Sequence, residues 1–387
     1  MFRKMKKRSN RNGIALLVVL FIVATVSVLS FGFVMKADAE LSCGRNTILR
    51  TEMDYIGLTA LNYTKAMIVN PQDITTGTDK YWQGENDLQL EASSDEFFDV
   101  QVVRSTTGET PECTFDVTCE GYKLNGGNKI SETKLQAQLR LDPFIAFYSN
   151  NSTKIDDNVT IYGDVYCGNH LTKHGTIKGD IFADSYWLNT DDITGQIYPK
   201  ANANVSWSGI RYWRFEPTYY IDTEEYWPVT ISGSYSDVSW GTSSGNPAGI
   251  YYCSGDLDLQ GNIQINGTLV VKGNLDIQNG SCTINALKNY PAIVVEGRLR
   301  VKNSGSLEAS GLVQTYDMRI KDTASNVNIT GGLYIYNSGL IVESGYSGSV
   351  VIKGDPMAAT IKLMSTDVNM MEWSPVGGAY YKHIRRY

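Results

Sequence analysis

The sequence predicts a mainly β chain carried on one long N-terminal α-helix, with a parallel β-helix (solenoid) as its largest part. Three observations predict this. An uncharged run from Ile14 to Met35 leads, without a proline, into a stretch of helical periodicity that ends near Val69. Alternating apolar and polar residues then mark strands up to Leu141. Beyond Pro143, short strand-like pieces recur around glycine, as they do in a solenoid. Composition agrees: 36 Gly and 24 Tyr stand against only 10 Pro, and 42% of residues are hydrophobic, so turns are many and cores can form. The net charge of −7 leaves no broad basic face and argues against nucleic acid as a partner.

The helix is justified first. Residues 1–13 hold Arg3, Lys4, Lys6, Lys7, Arg8 and Arg11 and no acid, so the chain without them has a net charge of −13 (−7 less six positive charges). Ile14 to Met35 would span roughly 33 Å as a helix, enough for a bilayer core. The basic flank then stays cytoplasmic and the rest faces outward. Ala37-Asp38-Ala39 mimics a signal-peptide cleavage site, but the apolar run is too long for one. A plain membrane anchor is the simplest alternative. Past Lys36, apolar residues at Ile48, Leu49, Met53, Ile56, Ala60, Leu61, Ala66, Met67 and Ile68, with Thr64 among them, keep near-helical spacing until Asn70-Pro71 stops it.

This N-terminus resembles the type IV pilin and type II secretion pseudopilin superfamily. The matching features are a short basic leader, Gly13 before the cleavage point, Ile14-Ala15-Leu16-Leu17 as the mature start, and a helix over 14–70. The resemblance implies cleavage after Gly13 by a prepilin peptidase and N-methylation of Ile14. It departs at Val18, where most major pilins carry glutamate. Minor pseudopilins of the K type, placed at the pilus tip, lack this acid, and residues 13–29 resemble a K-type or PilX-type start. The resemblance therefore implies a minor, tip-proximal subunit in the bacterial inner (cytoplasmic) membrane, single-pass, with its C-terminal region in the periplasm or exported on a pilus. Its partners would be other pilin or pseudopilin subunits through the helix, the membrane, the peptidase, and a surface glycan or secreted protein.

Residues 72–142 come next. Asp99–Arg104, Thr114–Lys123 and Lys134–Leu141 read as strands of a small antiparallel sheet, and a helix packed on them resembles a pilin head. Over 144–365 the predicted element is the parallel β-helix. Gly163, Gly179 and Gly195 sit 16 apart; Gly255, Gly273, Gly297 and Gly332 form a second series with gaps of 18, 24 and 35, the last suiting two coils. These repeats look like those of bactofilin-like polymers. An aromatic-rich insertion over 200–248 includes Trp207, Trp213, Tyr220 and Trp227, which either stack on sugar rings or form a small core covering the solenoid's side. Residues 366–387 are expected to cap the last coil.

Little reads as chemistry. No CxxC pair, nucleophile elbow or phosphate loop is present, and the expectation is no catalytic residue, no metal and no cofactor. His170 and His174 lie in a stretch that does not read as helix, so they make a poor metal pair. Cys253 and Cys282 could meet across neighbouring coils as a disulfide. Two other functions stay open: a membrane-tethered carbohydrate-binding protein or polysaccharide lyase using the β-helix, and a bactofilin-like polymer former.

Overall fold

The computed structural model describes residues 11–69, 81–106, 113–188, 193–203, 209–221, 224–288, 290–337, 339–355, 361–365, 368–373 and 379–386. One 59-residue helix, Arg11–Val69, opens the chain. At 1.5 Å per residue it is about 88 Å long. Its second half is amphipathic as the spacing required. Met53, Ile56, Ala60, Leu61, Thr64, Met67 and Ile68 are buried; 53, 56, 60, 64 and 67 step by three and four, and 61 and 68 sit beside them on the same face. Ile48 and Ala66, expected on that face, are exposed instead, because the sheet covers only a narrow stripe of the helix.

That stripe packs on a five-stranded antiparallel sheet in the order Gly84–Gln89, Glu96–Arg104, Thr114–Asn125, Asn128–Leu141, Ala379–Arg386. Two glycines let the layers approach. A Cβ on Gly57 would stand 2.6 Å from Leu135 Cδ1, and one on Gly121 would stand 2.8 Å from Ile56 Cγ2. The fifth strand is a correction. Residues 366–387 do not cap the last coil: Ala379–Arg386 returns to the edge of Asn128–Leu141, and the Tyr381 hydroxyl donates to the Leu61 carbonyl on the helix. An exposed strand edge is a liability, and here the C-terminus covers it. Ile361–Ser365 also leaves the solenoid, pairing antiparallel with Val368–Trp373.

The strands from Ile145 to Gly354, apart from the antiparallel pair Tyr219–Ile221 and Glu224–Tyr226, wind a three-faced parallel β-helix. Along one face, the rungs stack in the order 229–231, 250–253, 268–271, 293–295, 313–315, 333–335, 147–149, 165–167, 181–182, 197–198. Ten rungs at about 4.8 Å make a stack roughly 43 Å long. The order shows that the chain enters in the middle. A short arm (145–198) winds outward from the entry point. The chain then crosses to the far end and winds back as a long arm (229–354). Its last coil docks on the first, pairing Leu333 with Phe147 and Val350 with Val159.

The glycine repeats become corner ladders. Gly163 is approached by Gly354 of the long arm and lies beneath Gly179, which in turn lies beneath Gly195. Next to these glycines, a side-chain oxygen of one coil accepts a backbone N–H from the next. Asp164 Oδ1 accepts from Asp180 N at 2.8 Å and Asp180 Oδ1 from Gln196 N at 2.7 Å. Asp256 Oδ1 accepts from Asn274 N at 2.8 Å and Asn274 Oδ1 from Arg298 N at 3.0 Å. The Gly-Asp and Gly-Asn pairs of the sequence are therefore a device for satisfying N–H groups where the backbone turns. Gly332 does not continue the 255–273–297 column. It pairs with Leu312, and the coils there advance from Val295 to Thr315 to Ile335.

Candidate functional site

Two surfaces stand apart from the packed cores. The first is the free half of the helix, where every residue from Ile14 to Ile48 is exposed. Within it, Ile14 to Met35 is apolar on all sides, with a mean hydropathy of 2.9 over 18 residues and none of them buried. It is long and apolar enough to cross a membrane, and fits a single-pass anchor. The one threonine of this apolar run, Thr25, turns its hydroxyl back onto the Phe21 carbonyl at 2.8 Å, so Thr25 carries no unmet donor into lipid. Val18 is 49% exposed on this cylinder. Gly13 and Ile14 lie inside the helix, one turn from its described start at Arg11. The rest of the basic leader, Arg3 to Arg8, lies outside the described residues.

The second surface is the side of the β-helix crossed by the connection between its arms. Of the described residues, 199–203, 209–221 and 224–228 form this strap; Val229–Ser236 and Ser239–Trp240, assigned to the insertion by composition, are the first coil of the long arm. The strap covers outward-facing residues of the rungs it crosses. Ile210, Phe215, Tyr219 and Ile221 pack with Tyr148, Tyr252, Val270, Val294, Leu312 and Tyr334 in a second core. Polar clasps fix it. Gln314 Oε1 accepts from Ile210 N at 2.7 Å, Tyr219 OH donates to Asn246 Oδ1 at 2.6 Å, and Tyr252 OH donates to Glu216 Oε2 at 2.5 Å. The strap's aromatic richness is thus spent mostly on a side core.

The predicted stacking aromatics fare unequally. Trp207 lies outside the described residues. Trp213 is 53% exposed with the Arg214 guanidinium 4.7 Å from its ring centre, and Trp227 is 60% exposed. Tyr220 donates to Glu225 Oε1 at 3.0 Å. Among the described residues no ring contact joins Trp213, Tyr220 and Trp227, so they make no single platform.

The cysteine expectation is overturned by register. Cys253 stacks between Ile231 and Val271, while Cys282 stacks between Ile263 and Leu307 on another face. Both are free thiols in the solenoid interior, and burial pushes Cys282 up to about 12. His170 shares a 2.8 Å hydrogen bond with Ser185, and His174 meets Trp187 edge-on at 5.0 Å, so the two histidines turn to different partners. Among the described residues no group of three His, Cys, Asp or Glu side chains gathers at metal-binding distance.

At the junction of head and solenoid, Arg104 holds Asp355 through its two terminal guanidinium nitrogens, at 3.0 and 3.2 Å. Beside it, burial pushes the Asp164 carboxyl up to about 7. Nearby Asp180 and Asp142 add repulsion, against the lowering effect of N–H bonds from Asp180 and Phe144. Nothing in the sequence singled out this carboxylate, because the coil that closes over its corner, Val350–Gly354, is the distant end of the long arm.

No protein-family model matches the chain, and no curated protein does. Among solved structures, the crystal structure of the competence-associated pilin ComZ from Thermus thermophilus aligns with 88% of this chain and 96% of its own. Identity is 10% and the TM-score 0.23. A superposition that loose carries no argument about function.

Proposed function

We propose that this chain is a minor, tip-proximal pilin-like subunit of a type IV pilus or type II secretion apparatus, acting by assembly and display rather than catalysis. One observation carries the reading. A single unbroken helix is apolar all round from Ile14 to Met35 and, past a charged stretch, amphipathic against an antiparallel sheet. Such a helix has two uses in succession: held in the inner membrane before assembly, then packed among the helices of neighbouring subunits. In this reading a prepilin peptidase removes residues 1–13 and the Ile14 amine is methylated. Val18 offers no carboxylate to a neighbour's terminal amine, which suits a subunit at the end of a filament rather than in its body. The β-helix is the displayed cargo.

The test is sequencing of the mature N-terminus from membrane fractions of cells with an active prepilin peptidase. A start at Ile14 is expected. Protein that keeps Met1 in such cells overturns the reading and leaves a plain anchor.

A further inference from the structure

The first coil, the last coils and the strap converge at one place. Tyr148 and Asn150 come from the first coil, Gln314 and Tyr336 from the end of the long arm, and Gly209, Ile210 and Arg211 from the strap. They surround a cleft of about 270 Å³. Its floor is set without any ligand. Gln314 is 2% exposed, and both ends of its amide are bound to the Ile210 backbone, at 2.7 Å to N and 2.6 Å to O. The walls are fixed as well. Tyr336 OH donates to the Glu296 carbonyl at 2.8 Å, and its ring meets Tyr316 edge-on at 5.4 Å. Tyr148 stacks on Tyr166 with ring centres 4.5 Å apart. The Glu296 carboxylate is turned to the strap, where Oε1 accepts the Tyr212 N–H at 3.4 Å.

The mouth differs from the floor. Arg211 and Asn150 are exposed, and among the described residues neither side chain has a hydrogen bond or an ion pair. A guanidinium and an amide, both uncommitted, thus flank a rigid cleft walled by tyrosines. A guanidinium fork matches a carboxylate in two parallel bonds. Tyrosine and amide groups suit a ligand rich in hydroxyls. Its volume lies just below the roughly 300–1,000 Å³ of drug-sized sites, room for about one ring. We propose that this cleft binds an acidic saccharide, with Arg211 on the uronate carboxylate and Asn150 on a ring hydroxyl. The strap then has a second use: it carries the charged half of a site whose walls belong to the solenoid. The assignment does not depend on processing of the N-terminal helix.

The test is isothermal titration of the full chain in detergent micelles with three probes: trigalacturonate, neutral galactotriose, and the tripeptide Gly-Gly-Glu. Trigalacturonate is expected to bind at least about tenfold more tightly than either of the others. Arg211→Ala should weaken it by about tenfold or more, Arg211→Lys by less, and Asn150→Ala by a few-fold. Neither alanine variant should shift the melting temperature, since neither side chain holds the fold. Equal binding of galactotriose, tighter binding of Gly-Gly-Glu, undiminished binding in a normally melting Arg211→Ala variant, or no binding of trigalacturonate would each overturn the proposal.

Discussion

Replacing Gly297 by alanine tests whether the glycine repeats are a packing requirement of stacked coils. A Cβ at this position would lie 2.5 Å from the Gly273 carbonyl oxygen, 2.8 Å from its carbon and 3.0 Å from Asn274 Oδ1. Real Cβ atoms essentially never come within 3.0 Å of such neighbours, and here the neighbour is backbone that cannot rotate away. Relief requires separating two rungs. That stretches the Gly297 N to Gly273 O bond, now 3.1 Å, and the Arg298 N to Asn274 Oδ1 bond, now 3.0 Å. Overpacking costs about 1–3 kcal/mol, and each weakened bond about 1 kcal/mol. The lower entropy of the unfolded alanine chain returns about 0.4–1 kcal/mol. The expected net loss is about 2–4 kcal/mol. Gly255 is the matched control: it starts the same column, and a Cβ there meets nothing within 4 Å. Guanidinium unfolding of the detergent-solubilised chain, followed by tryptophan fluorescence, reads both variants. If Gly297→Ala stays within about 0.5 kcal/mol of wild type, or Gly255→Ala costs as much, the steric account of the ladder is wrong.

Three further outcomes are expected. Because Asp164 is held near 7 against an ordinary carboxylate value of about 4, its contribution to stability is complete below about pH 4 and fades as pH rises through 7. Asp164→Asn should flatten the fall in melting temperature between pH 5 and 8. The expected effect is about 2 kcal/mol, discounted from the full shift because the carboxyl is partly exposed. An unchanged pH profile counts against the buried-acid reading. Tyr381→Phe should cost about 1 kcal/mol and raise hydrogen exchange in the head sheet while leaving the solenoid's exchange unaltered, which would not hold if residues 379–386 capped a coil. Native alkylation should label Cys43 alone of the six cysteines, and denaturation should release the other five without a reductant. A reductant requirement would mean that a disulfide forms after all.

Much of this architecture was legible because it is local. Helical spacing from Met53 to Ile68 names the face that packs, since a 3.6-residue period fixes which side chains share a side. Alternation in Lys134–Leu141 likewise puts Leu135, Ala137, Leu139 and Leu141 inward. Gly163, Gly179 and Gly195 recur because each coil needs the same corner. The candidate cleft was not legible. Arg211, Asn150 and Tyr336 belong to no motif, and only Arg211 had a signal, the aromatic density of the strap around it.

The sequence by itself determined the elements: an apolar-then-amphipathic helix, an alternating sheet, and coils with glycine corners. The tertiary structure alone decided their order in space. Parallel coils join through backbone N–H and C=O groups that are the same in every rung, so an exposed coil edge accepts any other with matching corners. Residues 333–354 can therefore close on 147–162 with no sequence mark of that choice. The same holds where Ala379–Arg386, at the far end of the chain, completes a sheet that begins at Gly84. That pairing is written in backbone geometry and edge burial, not in side chains.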